Sequence, residues 1–507
     1  MTLEAEEAVE AEEPLRSAVF RTLGEREPDY GRLDAFLNAP DEQTAFSLWF
    51  GPEVVAATPP GRLRRLADRD IAEIDAVLNH SANAVLHHPR FQALESAWRS
   101  VLWLVNTLGA DMMTGVRVLD ARWTELARDL ERAPEFDQSY LFDQIYNQEF
   151  GMPGGVPFSM MVGLYEVQHR PSRNHPTDDV TVMRHLSAVA AAAFCPMVFG
   201  VAPAMFGVDS FGDLDLRQSI APTFRLPEYT RFQSFQQTPD ARFIGLVAPR
   251  ILLRRPYRHR AAGDCGFRFE EEVEGTGEAD QLWAPGAVGL ANICIRAFNE
   301  HRWLAAIRGT VPDQITAGVM AGLPIVDFET DAPETALKSS IDINVSEALE
   351  REMADAGFIP IRRCKDTPHV AIYSMPTVHK PKGAYFSDIA RVNEQLGSML
   401  NYILCVARFA HYIKIIARNW IGSYRTAGEC EQKLQRWLNG FCSGGDQLSY
   451  DMKARYPLQE GRIRVRDMPA KPGSYECTVA LRPHFQLDQA VSEFQLVTMV
   501  GGVERQL

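Results

Sequence analysis

No two of the eight cysteines stand in a C-x-x-C spacing; they lie at 195, 265, 294, 364, 405, 430, 442 and 477. That excludes zinc ribbons and thioredoxin-like centres. Cys195 in AAAAFCPMVFG and Cys405 in YILCVARF sit in apolar runs, where a cysteine serves as a small buried hydrophobe in a reducing compartment. The phosphate-binding G-x-x-x-x-G-K-[ST], the dinucleotide G-x-G-x-x-G, the hydrolase G-x-S-x-G and the zincin H-E-x-x-H are all missing. Positive charge is in deficit, with 52 Lys and Arg against 66 Asp and Glu and a net charge of -14. Such a balance argues against a general nucleic-acid or anionic-membrane binder. The acidic start MTLEAEEAVEAEEP has no apolar core, so no signal peptide is expected. Asn401, Arg408, His411 and Lys414 interrupt the most apolar helical stretch, Met399 to Ala417, and each is costly in a bilayer. No membrane insertion is expected, and the location implied is cytoplasmic.

What remains is a chain of 507 residues, 46% hydrophobic and 23% charged, in the range of soluble globular proteins and long enough for several domains. Four regions are expected. Residues 1–60 form an acidic, partly disordered extension, with short helices between Arg16 and Phe50 and a break at Thr58-Pro59-Pro60-Gly61. Residues 61–135 read as helical. Leu63, Leu66, Ile71, Ile74, Val77 and Leu78 recur at helical spacing, and after His88-Pro89 the residues Phe91, Leu94, Trp98, Val101, Leu102 and Val105 make a second stripe. A strand is predicted over Asp111 to Leu119 and a helix from Trp123 to about Leu130.

Residues 136–385 alternate between types. PFSMMVGLYEVQ reads as a buried strand, TDDVTVMRHLSAVAAAAF as a helix capped near Thr177 or Asp178, and Cys195 to Val201 as a short apolar run. ARFIGLVAPRILLRRPY, interrupted by Pro249, reads as loop and short helix. A helix follows over Leu282 to Ile307. After it comes a helix stopped by Gly357, with two strands joined by a turn at Lys365 to Thr367. The fold class implied is mixed α/β with more than one domain.

Residues 386–507 open with a long helix from Arg391. Val392, Leu396, Met399, Ile403, Val406, Ala410, Ile413, Ala417 and Trp420 fall on one stripe, with Arg408, Lys414, Arg418 and Arg425 mostly off it. Three alternating segments follow: GRIRVRDM, YECTVALRP with Tyr475, Cys477, Val479 and Leu481, and EFQLVTMV with Phe494, Leu496 and Val500. A meander of this kind leaves at least one edge able to pair with another chain.

No catalytic, cofactor or metal constellation emerges. His87-His88 reads as the end of a helix, since adjacent helical residues diverge by about 100°. EFGMPGGVPF reads as a shaped turn entering a strand. Glu270, Glu271, Glu272 and Glu274, with Arg362, Arg363, Lys365, Lys380 and Lys382, support the alternative of a cytoplasmic anion-binding or hydrolytic enzyme. Consecutive surface acids are more usually solvated.

Several phrases, in order, resemble the large subunit of the type VI secretion contractile sheath, the TssC/VipB family. They are HHPRFQALESAWRSVLWLV at 87–105, NQEFGMPGGVPFSMMVGLYEV at 147–167, ARFIGLVAPRILLRRPY at 241–257 and FRFEEE at 267–272. ALKSSIDINVSEALEREMADAGFIPI at 336–361, KPK at 380–382, ARFAHYIKIIAR at 407–418, IGSY at 421–424, KARYPL at 453–458 and KPGSYECTVALRPHFQLD at 471–488 complete the set. WAPGAVGLANICIRAF and RNWIGSY depart from the family pattern, and residues 1–60 have no counterpart, as in a divergent branch. The resemblance implies no enzyme. It implies a structural subunit pairing with a small TssB/VipA-like partner, stacked in six-fold rings with copies of itself around an Hcp tube on a baseplate. Contraction drives the tube outward, and a ClpV-type AAA+ unfoldase recycles the sheath. Under this reading Arg408, Lys414, Arg418 and Arg425 face the tube. Tyr475, Cys477, Val479, Leu481, Phe494, Leu496 and Val500 link subunits by strand exchange.

Overall fold

The computed structural model describes residues 30–109, 113–258, 266–273, 281–311, 314–327, 337–365, 367–381, 394, 396–420, 426–445, 448–467, 475–484 and 494–500. Contacts divide the chain into two units, residues 1–85 with 257–271 and residues 86–256 with 272–507.

The first unit is helical. α1 (Tyr30–Leu37) is followed by α2 (Glu42–Phe50), where the Asp41 carboxylate accepts from the Thr44 amide at 2.7 Å. Pro52 and Pro60 begin α3 (Pro52–Ala57) and α4 (Pro60–Leu86), the position where a missing N–H costs nothing. The predicted break at Thr58 to Gly61 is the α3–α4 junction. Asn79 and Asn83 of α4 hold the returning segment: Asn79 donates to the Arg268 carbonyl and accepts from the Glu270 amide, and Asn83 donates to the Glu270 carbonyl.

The second unit is built on one mixed sheet. β1 (Met161–Val167), β2 (Met197–Val201), β3 (Ile244–Ala248) and β4 (Ile359–Arg363) run parallel in that spatial order, and β5 (Val370–Ile372) adds an antiparallel edge. Alternate residues of β2 and β3 enter opposite layers. Met197, Phe199, Ile244 and Leu246 pack on α7 (Asp179–Ala193), whereas Val198 and Val247 pack on α8 (Ala287–His301). Both faces are covered, so these strands are apolar throughout, as buried parallel strands are. Preceding the sheet are α5 (Pro89–Thr107) and α6 (Trp123–Arg132); α9 (Glu347–Asp355) leads into β4. At the end of α9 Gly357 adopts φ +91°, which stops the helix as predicted.

Several expectations need correction. ARFIGLVAPRILLRRPY holds the central strand β3, and Pro249 follows that strand instead of dividing it. Residues 113–122 are extended but join no ladder among the described residues. Side chains meet this segment instead: Thr114 bonds Asn299, Tyr165 donates to the Ala121 carbonyl, and Arg117 pairs with Glu149. Over Leu282 to Ile307 only Ala287–His301 is helical, Trp283–Ala284 being a short strand. On α4 and α5 the apolar stripes point away from the core: Ile71, Ile74, Val77 and Leu78, and Phe91, Leu94, Trp98 and Leu102, are exposed.

One buried carboxylate ties three elements together. Asp179, at the first turn of α7, is 1% exposed. It accepts from the Trp123 indole of α6 at 2.6 Å, from the Gln168 amide just past β1 at 2.9 Å, and from Thr177 at 2.9 Å. The His175 Nε2 lies 2.7 Å away. Four partners satisfy a group whose burial is otherwise costly.

The C-terminal part of this unit comprises α10 (Leu400–Arg418), α11 (Ala427–Asn439) and an antiparallel meander. Its strands are β6 (Leu458–Asp467), β7 (Tyr475–Pro483) and β8 (Phe494–Val500). The predicted helix from Arg391 is interrupted: Glu394, Leu396 and Gly397 are helical, Ser398 and Met399 break the run, and α10 resumes at Leu400; residues 391–393 and 395 lie outside the described residues. A Cβ on Gly245 would stand 2.8 Å from a Leu400 methyl, so glycine on β3 is what lets α10 approach the sheet.

Asp179→Ala should destabilise the protein by about 3–5 kcal/mol, because it strands the indole and amide donors. Asp179→Asn should cost less, since one oxygen is retained. Urea unfolding followed by tryptophan fluorescence measures both.

Candidate assembly surface

α10 is covered almost all round. Leu400 and Leu404 enter the core beneath the sheet, while Cys405, Val406, Phe409, Ala410, Ile413 and Ala417 join α11 and the meander. Trp303 stacks on Phe409 at 4.3 Å and closes this second core. The helix is long and apolar enough by composition to cross a membrane, yet 72% of that stretch is buried within the chain.

Its cations have partners inside the chain. Arg408 lies over the rings of Tyr412 and Phe298, at 4.6 and 5.4 Å, and donates to Ser159. The Lys414 ammonium sits 3.6 Å from the Phe150 ring centroid and 4.5 Å from that of Tyr146, and it donates to the Tyr146 hydroxyl. Arg418 donates to the carbonyls of Phe150 and Met152. Lys414 and Arg418 therefore clasp the end of the helical turn Asp143–Gly151, whereas Arg408 reaches Ser159 and Phe298, and each is half-buried. Burial, and then the Arg418 charge, push the Lys414 ammonium down to about 8. Burial drives His411 to about 4, so it is a neutral ring against the Ala193 carbonyl at neutral pH. Arg425 lies outside the described residues.

In the meander β7 is the middle strand. Its register runs Ile463 to Val479 and Val465 to Cys477 on one side, and Val479 to Leu496 and Cys477 to Thr498 on the other. Cys477, Val479 and Leu481 are fully buried, and burial pushes the Cys477 thiol up to about 12. Four of the linkage candidates, Tyr475, Cys477, Val479 and Leu481, thus sit on a strand whose backbone is paired on both sides within the chain. Phe494, Leu496 and Val500 lie on the edge strand β8, opposite Leu481, Val479 and Tyr475.

The two edges differ. Along β6, the Ile463 amide donates to Gln435 Oε1 at 2.8 Å and the Val465 amide to Glu431 Oε2 at 2.9 Å. Gln435 Nε2 returns a bond to the Gly461 carbonyl at 2.8 Å, and Leu458 pairs its backbone with Phe441 and Ser443. Side chains of α11 therefore stand where another strand would. Among the described residues β8 pairs only with β7. Because Gly461, Ile463 and Val465 direct their backbone groups outward, the alternation of an antiparallel ladder turns Phe494, Leu496, Thr498 and Val500 toward β7. The amides and carbonyls of Gln495, Val497 and Met499 then face the open edge. The inward-facing residues were legible from period-2 alternation. The capping by Glu431 and Gln435 was not, because it joins residues about 30 apart with no local signature.

The remaining candidates resolve into structural roles. His88 caps α5, its Nδ1 accepting from the Arg90 amide at 3.2 Å. In the glycine-rich turn Gly154 has φ +86°, and a Cβ on Gly155 would collide with the Glu149 carbonyl. The Glu149 carboxylate accepts from the Val156 amide and pairs with Arg117, which together hold it below the usual carboxylate range. Glu271 is buried and accepts from the Tyr257 amide, and it belongs to the first unit. Arg362 pairs with Glu350 at 3.2 Å in the second unit, and Arg363 donates to the Thr367 carbonyl. Glu274 and Lys382 lie outside the described residues. No group of three or more His, Cys, Asp or Glu among the described residues is arranged to hold a metal.

The α/β body ends in a meander with one edge sealed by α11 and, among the described residues, no further strand on the other; comparison with known proteins gives the family. Residues 68–379 match the model described as EvpB/VC_A0108, tail sheath N-terminal domain. Residues 389–500 match that of the tail sheath gpW/gp25-like domain. The chain is 33% identical over 431 residues to the type VI secretion system sheath protein TssC1 of Pseudomonas aeruginosa, covering 84% of each. The chain belongs to the VipB family of type VI secretion sheath large subunits, and it is a structural subunit of a contractile sheath.

Among solved structures, a sheath tail protein from Desulfitobacterium hafniense aligns at TM-score 0.30 and 6% identity, over 63% of this chain and 59% of the other. The contracted helical sheath of the anti-feeding prophage aligns at 0.32 and 10%, over 62% and 66%. The prophage baseplate aligns at 0.34 and 10%, over 77% and 85%. Likeness this low carries no conclusion about the chain.

Two outcomes follow. Glu431→Ala with Gln435→Ala should cost about 2 kcal/mol by leaving backbone groups of β6 unmet. It should also raise concentration-dependent aggregation through the exposed edge, read by denaturant melts and light scattering. Lys414 is lowered from its ordinary 10.5 to about 8. The cost of holding it charged is therefore complete below pH 8 and relieved as pH rises to 10.5. Lys414→Met should stabilise most near pH 7, and that gain should shrink across the window. Paired melts at pH 7 and pH 10 measure it.

Proposed function

We propose that this chain forms heterodimers with a small TssB/VipA-like sheath subunit, and that these polymerise as six-fold rings around a tube of Hcp hexamers. The assembly stands on a baseplate in the cytoplasm, contracts to propel the tube, and is recycled by a ClpV-type AAA+ unfoldase. The observation that carries this reading is the asymmetry of the C-terminal meander. An edge sealed by Glu431 and Gln435 beside an edge left open on β8 favours addition of a strand at one place and in one register. Backbone pairing there ties neighbouring subunits by hydrogen bonds that survive while the bodies slide. Family membership and 33% identity to TssC1 support the same reading.

We propose that the linkage lies on β8, with Phe494, Leu496 and Val500 pairing with β7 and Gln495, Val497 and Met499 meeting the neighbour. β7, with Tyr475, Cys477, Val479 and Leu481, anchors that edge to the core. The tube-facing role of Arg408, Lys414 and Arg418 is proposed as an indirect one. Lys414 and Arg418 pin the Asp143–Gly151 turn to α10, Arg408 ties α10 to Ser159 and Phe298, and their charge acts on an acidic tube from behind these contacts. Arg425 is proposed to share it.

Val497→Pro removes one outward N–H and leaves the ladder to β7 intact. Co-expressed with the small subunit, the variant should yield heterodimers at the wild-type level and at least tenfold fewer tubules in negative-stain images. Normal tubules would place the linkage elsewhere. A wild-type chain that never captures the small subunit would overturn the sheath reading itself.

A further inference from the structure

Arg308 is 5% exposed, and the Nε and Nη2 atoms of its guanidinium meet no hydrogen-bond partner. Its Nη1 reaches only the Met399 sulfur, at 3.9 Å. A guanidinium keeps its charge at physiological pH, and an unpaired charge is strongly unfavourable in a protein interior. Two other arginines show how the same edge is filled elsewhere in this chain. Arg250 gives Nε and Nη2 to the two oxygens of Glu166, each at 2.6 Å, and Arg254 gives them to Glu95 at 2.8 and 3.4 Å. These two nitrogens point the same way and form a fork that fits two oxygens of one anion. On Arg308 that fork is the part without a partner, and no carboxylate pairs with it among the described residues.

The backbone fixes where the fork stands. The Gly309 amide donates to the Ile372 carbonyl of β5 at 2.8 Å, and the Gly309 carbonyl accepts from the Gly318 amide at 2.8 Å. Arg308 is thereby held at the edge of the sheet. A Cβ on Gly318 would stand 2.8 Å from the Arg308 Cα, so glycine is what lets the two segments cross this closely. Met399, which the guanidinium touches, occupies the N-cap position of α10. No side chain caps that 19-residue helix, and no acid lies in its first turn. The start of such a helix carries about half a positive charge. Two sources of positive charge therefore meet where β5 adjoins α10, and neither is answered by an acid among the described residues.

We propose that Arg308 and the start of α10 bind a small inorganic oxyanion of the phosphate class. Two of its oxygens meet Nε and Nη2 of Arg308, and the helix dipole stabilises its charge. Water could meet the two N–H groups but supplies no countercharge. The burial of Arg308 favours a small free ion over a partner's side chain, which would have to part β5 from α10 to reach it. This site goes beyond the sheath reading and does not rest on it. Its effect is mechanical: the ion bridges the sheet edge, through Arg308, to the helix that carries the C-terminal meander.

The test titrates the full-length chain, in phosphate-free buffer, with inorganic phosphate against sodium chloride of equal ionic strength. Phosphate should raise the melting midpoint by about 2–4 °C beyond chloride. Arg308→Met keeps the side chain's bulk and removes its charge. Without phosphate it should melt no lower than wild type, and it should lose the response to phosphate. Arg308→Lys, which has the charge but not the fork, should respond more weakly than wild type. If Arg308→Met does not fold, the phosphorus NMR line of phosphate decides: the wild-type chain should broaden it and Arg308→Lys should do so less. Equal wild-type midpoints in phosphate and chloride, or an undiminished response in Arg308→Met, would overturn the proposal. So would a response that appears only in Asp313→Asn, because Asp313, the acid nearest Arg308 in the sequence, would then be its partner.

Discussion

The structure depends on the burial of α10. One end of this helix lies under the parallel sheet through Leu400 and Leu404, and the other is enclosed by α11, the meander and Trp303. Each fully buried aliphatic or aromatic side chain contributes about 1.5–3 kcal/mol, so so many along one helix outweigh any single surface contact. The consequence is mechanical. The C-terminal meander is not a loose appendage but is rooted, through α10, in the same core as β3 and β4. A pull on β8 is therefore delivered to the body of the subunit, which is what a linkage in a contractile sheath requires.

The same helix shows how charge is accommodated. Arg408, Lys414 and Arg418 emerge from an otherwise apolar cylinder: Arg408 lies on Tyr412 and Phe298, Lys414 on Phe150 and Tyr146, and Arg418 on the carbonyls of Phe150 and Met152. Aromatic faces stabilise a cation without a counter-charge, though they do not restore full hydration, and the lowered Lys414 records the difference. These groups hold separate segments of the chain together.

Much of this was legible in the sequence because it depends on local periodicity and on glycine or proline. The strands of the meander, the α4 and α5 boundaries at Pro60 and Pro89, and the stop at Gly357 follow from such signals. The central strand β3 is obscured in the sequence by Pro249, yet the five residues before it suffice for a buried parallel strand. The stripe on α5 is legible as a pattern, whereas its direction is not. Periodicity states which residues share a face, and only the neighbours decide whether that face meets the core or a partner. The central position of β7 follows from the meander order, in which the second of three consecutive strands is paired on both sides. Tyr412 stands four residues from Arg408, a helical spacing, but Ser159, Phe298 and the Lys414 partners Tyr146 and Phe150 lie more than 100 residues away, and sequence spacing carries no trace of them.

The central claim is that the open edge of β8 is completed by a neighbour in the assembled sheath, while that of β6 is already complete within the subunit. Hydrogen exchange of the same protein, as isolated heterodimer and as intact sheath, tests it most directly. The amides of Gln495, Val497 and Met499 should exchange rapidly in the heterodimer and become protected on assembly. Those of Ile463 and Val465, bonded to Gln435 and Glu431, should be protected in both. Equal exchange of the β8 amides in the two states would contradict the account.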